Sequence, residues 1–111
     1  MKVTIIPTAE FDRRFKKLAK KYKSLLNDYL TLSKELKDNP FQGVDLGGGV
    51  RKIRMTIASK GKGKSGGARV LTLNVLVSDD AEVTLLTIYD KNEIENVSDE
   101  YIKWLVSEAQ K

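Results

Sequence analysis

Two periods of hydrophobic and polar residues follow one another along the chain. In residues 11–36 apolar side chains recur every three or four positions, which is the period of amphipathic helices. In residues 50–90 they alternate with polar side chains or form β-branched runs, which is typical of strands. Residues 101–106 return to helical spacing. The pattern predicts helices first, then a run of strands, then a closing helix.

The N-terminal part of this pattern predicts one strand and a helical hairpin. Residues 3–6 are a β-branched run that ends at a proline, as expected of a first strand. No glycine or proline then interrupts the apolar stripes before Pro40. One helix over residues 9–38 would be about 45 Å long, whereas a domain of this size has a radius of gyration of about 13 Å. We therefore expect two helices that fold back on each other, with the break near residues 21–24.

The central part of the chain predicts a small sheet. Residues 41–49 are rich in glycine and nonperiodic, which indicates a loop, and residues 59–67 form a second glycine-rich loop. Three strands are predicted at residues 50–58, 69–77 and 82–90. The last two are joined by a short turn and should pair as an antiparallel hairpin. Helices that precede a strand meander favour an α+β fold, and we expect one domain over residues 1–111.

The composition excludes several classes of chemistry. The 111 residues include no cysteine, which excludes disulfides, thiolate catalysis and cysteine-ligated metals, and no histidine, the usual general base near neutral pH. We therefore expect neither a metal nor another cofactor. The N-terminus does not resemble a signal peptide, and apolar runs are far shorter than the roughly 18 residues of a membrane helix. A cytoplasmic protein without a membrane partner is expected.

Positive charge is concentrated in residues 50–70, where seven cations occur without an acidic residue although the whole chain has a net charge of +5. These cations are Arg51, Lys52, Arg54, Lys60, Lys62, Lys64 and Arg69. Lys52 and Arg54 lie two residues apart, so they share one face of the predicted strand, where like charges repel each other. A bound anion would relieve this repulsion. The segment therefore predicts a nucleic-acid contact.

The glycine-rich loop is not a nucleotide-triphosphate site. Gly63-Lys64-Ser65 resembles the end of a phosphate-loop motif, but Ala58 occupies the position of the first glycine, and a strand rather than a helix follows. Two interpretations of the loop remain. It is either a solvated hairpin tip or a flexible arm whose glycines and lysines grip a phosphodiester chain.

Three segments together carry a recognisable combination of motifs. They read LGGGVRKIR at residues 46–54, SKGKGKSGGARV at 59–70 and LLTIYDKNE at 85–93. The combination resembles the RelE/HigB group of bacterial type II toxins, which are mRNA interferases of the RelE/ParE superfamily, and in particular the HigB branch. The resemblance covers nearly the whole chain and implies a compact RelE-like (microbial RNase-like) fold.

The resemblance also implies an activity and partners. Members of the group are endoribonucleases that cleave mRNA in the A site of the ribosomal 30S subunit, next to rRNA. The ribose 2′-hydroxyl attacks the adjacent phosphate, expels the 5′-oxygen and leaves a cyclic phosphate. Translation stops, and a cognate antitoxin silences the toxin. In the HigB branch this antitoxin is commonly a helix-turn-helix protein, HigA-like in type.

Three residue roles follow from the resemblance: Lys52, Arg54 and Arg69 would contact the scissile phosphate. Two positions depart from the pattern. Asn92 stands where classical RelE members carry an arginine, and Ser98 aligns with a tyrosine of those members. Some HigB relatives use a histidine near the C-terminus, and this chain has none.

The remaining roles follow from the chemistry of cleavage. Cleavage needs a base for the 2′-hydroxyl, a proton donor for the leaving oxygen, and cations for the charge that builds on phosphorus. Arginine cannot act as a base, whereas crowding by like charges lowers the pKa of a lysine, so Lys52 is the candidate base. Tyr89 or Lys91 is the candidate donor. Further RNA contacts are expected from Arg51, Lys60, Lys62 and Lys64.

Two other functions remain open. ParE relatives share the fold but poison DNA gyrase, and a basic face can also belong to a nucleic-acid-binding module without catalysis. The dense basic strand face favours the nuclease.

Overall fold

A mixed five-stranded sheet forms the centre of the computed structural model, which describes all 111 residues. Its strands are β1 (Val3–Pro7), β2 (Val44–Gly47), β3 (Val50–Met55), β4 (Ala68–Val77) and β5 (Asp80–Asp90). They lie in the order β1-β5-β4-β3-β2. β1 runs parallel to β5, and all other neighbours are antiparallel. The predicted α+β class is confirmed.

Helices cover both faces of this sheet. They are α1 (Ala9–Lys21), α2 (Leu25–Asp38) and α3 (Asp99–Ala109). α1 and α2 pack on one face and bury the larger apolar core, to which Phe11, Leu18 and Leu32 contribute. α3 packs on the other face over a smaller cluster through Leu105. No helix is both long enough and apolar enough to cross a bilayer.

The predicted break in the helical hairpin is confirmed, since α1 ends at Lys21 and α2 begins at Leu25. Ser24 precedes α2, but its hydroxyl does not cap a backbone N–H of the helix. It donates instead to a carboxylate oxygen of Asp28 at 2.7 Å and contacts the hydroxyl of Ser59 at 2.9 Å. The break is thereby tied to the start of the glycine-rich loop.

The prediction that residues 41–49 form only a loop is wrong, because β2 lies within them. Val44 pairs with Lys52 and Asp45 with Arg51 at the edge of the sheet. All of β2 is exposed, so it lacks the alternation that identifies a half-buried strand. Gly47–Gly49 have positive φ angles of 91°, 62° and 85°, which let the chain reverse within three residues.

The strand predicted over residues 50–58 is shorter than expected. β3 ends at Met55, and Ala58–Lys60 form a single 3-10 turn. Ile57 is fully buried in the larger core, and this burial turns the chain away from the sheet before Lys60. This 3-10 turn sets the direction of the lysine side chains in the glycine-rich loop.

Candidate active site

A row of polar side chains crosses the sheet from β3 to β5. Arg54 on β3 lies directly opposite Arg69 on β4, which lies directly opposite Tyr89 on β5. Neighbouring strands are about 4.8 Å apart, and register partners point to the same face of a sheet. The register therefore places two arginines and a phenol side by side on the face that also carries α3.

Arg69 is almost buried, with 7% of its surface exposed, and it has no carboxylate partner. Its guanidinium donates to the backbone carbonyls of Lys64 at 3.1 Å, Ser65 at 3.0 Å and Ala68 at 3.1 Å. Burial and the charge of Arg54 lower the pKa of Arg69. Guanidinium stays protonated in proteins, so the site holds a fixed, partly desolvated cation beside a second one.

Tyr89 is 4% exposed, and its hydroxyl is buried without a hydrogen-bond partner. Burial raises the pKa of Tyr89, and the charge of Arg69 only partly opposes this rise. The phenol therefore keeps its proton at neutral pH. A buried, unpaired hydroxyl costs about 1–3 kcal/mol and calls for an explanation, for which a bound substrate oxygen is one candidate.

Lys52 and Lys91 extend the row along its two outer strands. Lys52 lies two residues before Arg54 on β3, hence on the same face, and neither residue forms an ion pair. Lys91 follows the last residue of β5 and is exposed. Its backbone N–H donates to the carbonyl of Gly67 at 3.1 Å, which fixes the end of β5 against the loop.

The glycine-rich loop packs against the end of the row, where its backbone passes very close to β3 and its carbonyls accept from Arg69. A Cβ atom at Gly67 would lie 2.1 Å from the carbonyl oxygen of Met55, so only glycine fits there. Lys62 and Lys64 are exposed on this loop. The Nζ of Lys64 lies 3.9 Å from a carboxylate oxygen of Glu35, and Lys64 shares a depression of about 220 Å³ with Arg54.

Lys60 does not join the row. Its Nζ forms a 2.7 Å ion pair with the carboxylate of Asp90, and both side chains are buried. Asp90 also accepts from the hydroxyl of Tyr22 at 2.6 Å and from the backbone N–H of Asn92 at 2.9 Å. Burial opposes ionisation of Asp90, but the hydrogen bonds from Lys60 and Tyr22 outweigh it and hold the pKa of Asp90 below its ordinary value.

Arg51 also lies away from the row. Its guanidinium donates to the carbonyls of Gln42 at 3.1 Å and Gly43 at 2.9 Å, so it holds the segment before β2. A carboxylate oxygen of Asp45 is a further 3.9 Å contact. Arg51 is on the opposite face of β3 from its neighbour Lys52.

The structure thus groups some of the predicted site residues and separates others. The residues on one face of the sheet or at its end are Lys52, Arg54, Arg69, Tyr89 and Lys91. Lys62 and Lys64 lie on the loop above, and Arg51 and Lys60 have other partners. Sequence reasoning missed the junction around Asp90, because its contacts come from residues 30 and 68 positions away and leave no local pattern.

The fold and the row together define a small α+β protein with an unpaired cationic sheet face. A family model described as the RelE toxin of the RelE/RelB toxin-antitoxin system matches residues 5–111. The chain therefore belongs to the RelE toxin family, as the three motifs indicated, and membership implies an antitoxin partner.

Proposed function

We propose that this protein is the toxin of a type II toxin-antitoxin system and an endoribonuclease that cleaves mRNA on the ribosome. The observation that carries the proposal is the row itself. Arg54 and Arg69 lie side by side with no carboxylate partner, and the unpaired hydroxyl of Tyr89 is next in the row. Two adjacent cations and a proton donor match the charge and the leaving group of phosphodiester cleavage.

The arginines supply the electrostatic part of this mechanism. As the ribose 2′-oxygen bonds to phosphorus, negative charge builds on the nonbridging oxygens. Arg69 has five N–H donors and uses three on carbonyls, so two remain for these oxygens. Arg54 is exposed and has no partner, so its whole guanidinium is available. Donors fixed by carbonyl contacts need no reorganisation during the reaction.

Proton transfer completes the reaction. Lys52, on the same face, takes the proton of the 2′-hydroxyl in this proposal, and Tyr89 gives one to the departing 5′-oxygen. The new bond joins the 2′-oxygen to phosphorus, and the bond from phosphorus to the 5′-oxygen breaks. The products are a 2′,3′-cyclic phosphate and a 5′-hydroxyl. Lys91, at the end of β5, is the alternative proton donor.

The substrate, cellular location and antitoxin in this proposal are those expected of the family. We propose that residues 1–111 act as one toxin domain in the cytoplasm and that the substrate is mRNA in the A site of the 30S subunit. The basic face suits the phosphates of mRNA and of the surrounding rRNA. The cognate antitoxin would be a helix-turn-helix, HigA-like protein.

A translation reaction with one defined message tests this proposal. Primer extension maps new 5′ ends after wild-type protein, Arg54→Ala or Arg51→Ala is added. We expect cleavage by the wild type and a fall in rate of about 10²–10³-fold for Arg54→Ala, as is typical when one oxyanion donor is lost. Arg51→Ala is the matched control, because it removes the same charge from the same strand on the opposite face.

The alternatives give different results. An intact message together with gyrase-linked DNA breaks would establish a ParE-like poison. RNA binding without any new transcript end would establish a binding module. Equal losses for Arg54→Ala and Arg51→Ala would show that net charge, rather than the row, supports the activity.

A further inference from the structure

Helix α1 and the turn after it carry a second concentration of positive charge. Residues 13–23 contain seven cations and no acidic residue. They are Arg13, Arg14, Lys16, Lys17, Lys20, Lys21 and Lys23. This density exceeds that of residues 50–70, which hold the same number of cations over 21 positions.

Most of these cations have no partner within the molecule. Arg13 and Arg14 contact Glu10, and Lys21 lies 3.6 Å from Glu93 in an exposed pair. The remaining four form no ion pair. Like charges four residues apart destabilise a helix, and α1 has three such pairs, at positions 13/17, 16/20 and 17/21. Glu10 and Glu93 offset part of this cost at Arg13 and Lys21, but Lys16, Lys17 and Lys20 have no ion-pair partner inside the protein, which points to an external counter-charge.

The location of α1 connects this charge with the candidate active site. The row of Arg54, Arg69 and Tyr89 lies on the opposite face of the sheet, but both surfaces meet at the end of β5. β1 pairs only with residues 81–85 of β5, so no strand covers the edge beyond them. At this open edge, Arg14, Lys17 and Lys21 line a groove of about 120 Å³ together with Tyr89 and the carboxylates of Asp90 and Glu93.

The residue types on the exposed face of α1 indicate which class of ligand it fits. Apart from Ala9 at its start, the exposed side of the helix presents lysine, arginine and Asp12, whereas its large apolar residues, such as Phe11 and Leu18, are in the core. Protein interfaces have an apolar or aromatic centre and are depleted in lysine. A polyanion backbone needs no apolar anchor. The face therefore fits phosphates better than a protein partner.

We propose that the exposed cationic face of α1 binds the phosphodiester backbone of RNA outside the cleavage site. α1 is about 20 Å long, which is enough for several phosphates of one strand. RNA as the ligand rests on the proposed function. An RNA strand bound at the row would pass around the open edge of β5. It would reach Lys21 and Lys17 first, and then Lys20 and Lys16.

Salt-dependent binding tests this surface apart from catalysis. The probe is a fluorescein-labelled, single-stranded 2′-O-methyl RNA of about 20 nucleotides, which lacks the attacking hydroxyl. Its Kd is measured by anisotropy from roughly 50 to 300 mM KCl. The α1 variant is Lys16→Gln/Lys17→Gln/Lys20→Gln. The matched control, Lys34→Gln/Lys37→Gln/Lys103→Gln, removes three exposed charges from α2 and α3.

We expect the α1 variant to lower the slope of log affinity against log salt by about 2, because each neutralised phosphate on a single strand contributes about 0.7. The control should keep the wild-type slope, and thermal unfolding should show both variants folded. Equal slopes for variant and control would overturn the proposal. So would an α1 variant that loses binding of a labelled poly-glutamate peptide but keeps RNA binding, because the face would then serve an acidic protein.

These outcomes are independent of the cleavage test, since both triple variants keep the arginine row intact. A wild-type protein that leaves messages whole, combined with a lowered slope for the α1 variant, would refute the nuclease and support the α1 surface. Cleaved messages combined with an unchanged slope would do the reverse.

Discussion

At the scale of single residues, the strands hold one arginine of the candidate site rigidly and leave its neighbour free. Arg69 is buried and fixed by three carbonyls, whereas Arg54 beside it is exposed and unpaired. A fixed donor lowers the reorganisation needed when charge develops, and a free one adapts to the substrate. Tyr89 completes the row with a buried hydroxyl that has no hydrogen-bond partner in the folded state.

Tyr89→Phe should therefore uncouple stability from activity. Removing a buried hydroxyl that has no partner should leave the free energy of unfolding unchanged or raise it by up to about 3 kcal/mol. If Tyr89 donates the proton to the leaving oxygen, the cleavage rate should fall by about 10²–10⁴-fold. Urea unfolding and single-turnover cleavage measure the two effects. An active Tyr89→Phe protein would transfer the role of donor to Lys91, for which Lys91→Gln is the matching test.

At the scale of elements, one buried carboxylate joins three parts of the fold. Asp90 ends β5 and binds Lys60 at the start of the glycine-rich loop and Tyr22 at the end of α1. Tyr89 and Lys91 are the residues directly before and after Asp90 in the chain. The geometry of the candidate site therefore depends on a charged junction on the opposite side of the sheet.

Asp90→Asn should remove this junction in a pH-dependent way. The folded-state pKa of Asp90 is lowered, so its contribution to stability is present above its unfolded pKa of about 4 and is lost as the pH falls through the folded value. Near neutral pH the variant should lose about 3–5 kcal/mol, because the Lys60 ammonium stays buried without a counter-charge. The difference from wild type should shrink below about pH 4. Urea unfolding at several pH values measures it, and parallel curves would contradict the assignment.

The helices and strands also show which features of the fold and of the candidate site could be predicted from the sequence. The period of two put Lys52 and Arg54 on one face, and the size of the domain indicated the helix break. Lys60, Lys62 and Lys64 are equivalent in the repeating Lys-Gly pattern, yet only Lys60 is buried. Its direction depends on the turn after Ile57 and on a carboxylate 30 residues away. The parallel pairing of β1 with β5 likewise leaves no local signal.

At the scale of the whole molecule, charge is separated more strongly than the net value suggests. Fourteen of the 20 lysines and arginines lie in residues 13–23 and 50–70, and all 15 acidic residues lie elsewhere. The two basic segments meet at one end of the sheet. Such a separation creates a long-range field that guides a polyanion to one side of the protein.

If the protein cleaves messages on the ribosome as proposed, this field should affect its association with the ribosome more than the chemical step. As salt rises from roughly 50 to 300 mM, kcat/KM for message cleavage should fall steeply, because the Debye length shortens from above 10 Å to below 8 Å. The single-turnover rate in a preformed complex should change little, since the arginine row is then shielded from bulk ions. Both rates are measured on the same ribosomes, and the second is the internal control. A parallel fall of the two would mean that salt acts on the site itself rather than on association.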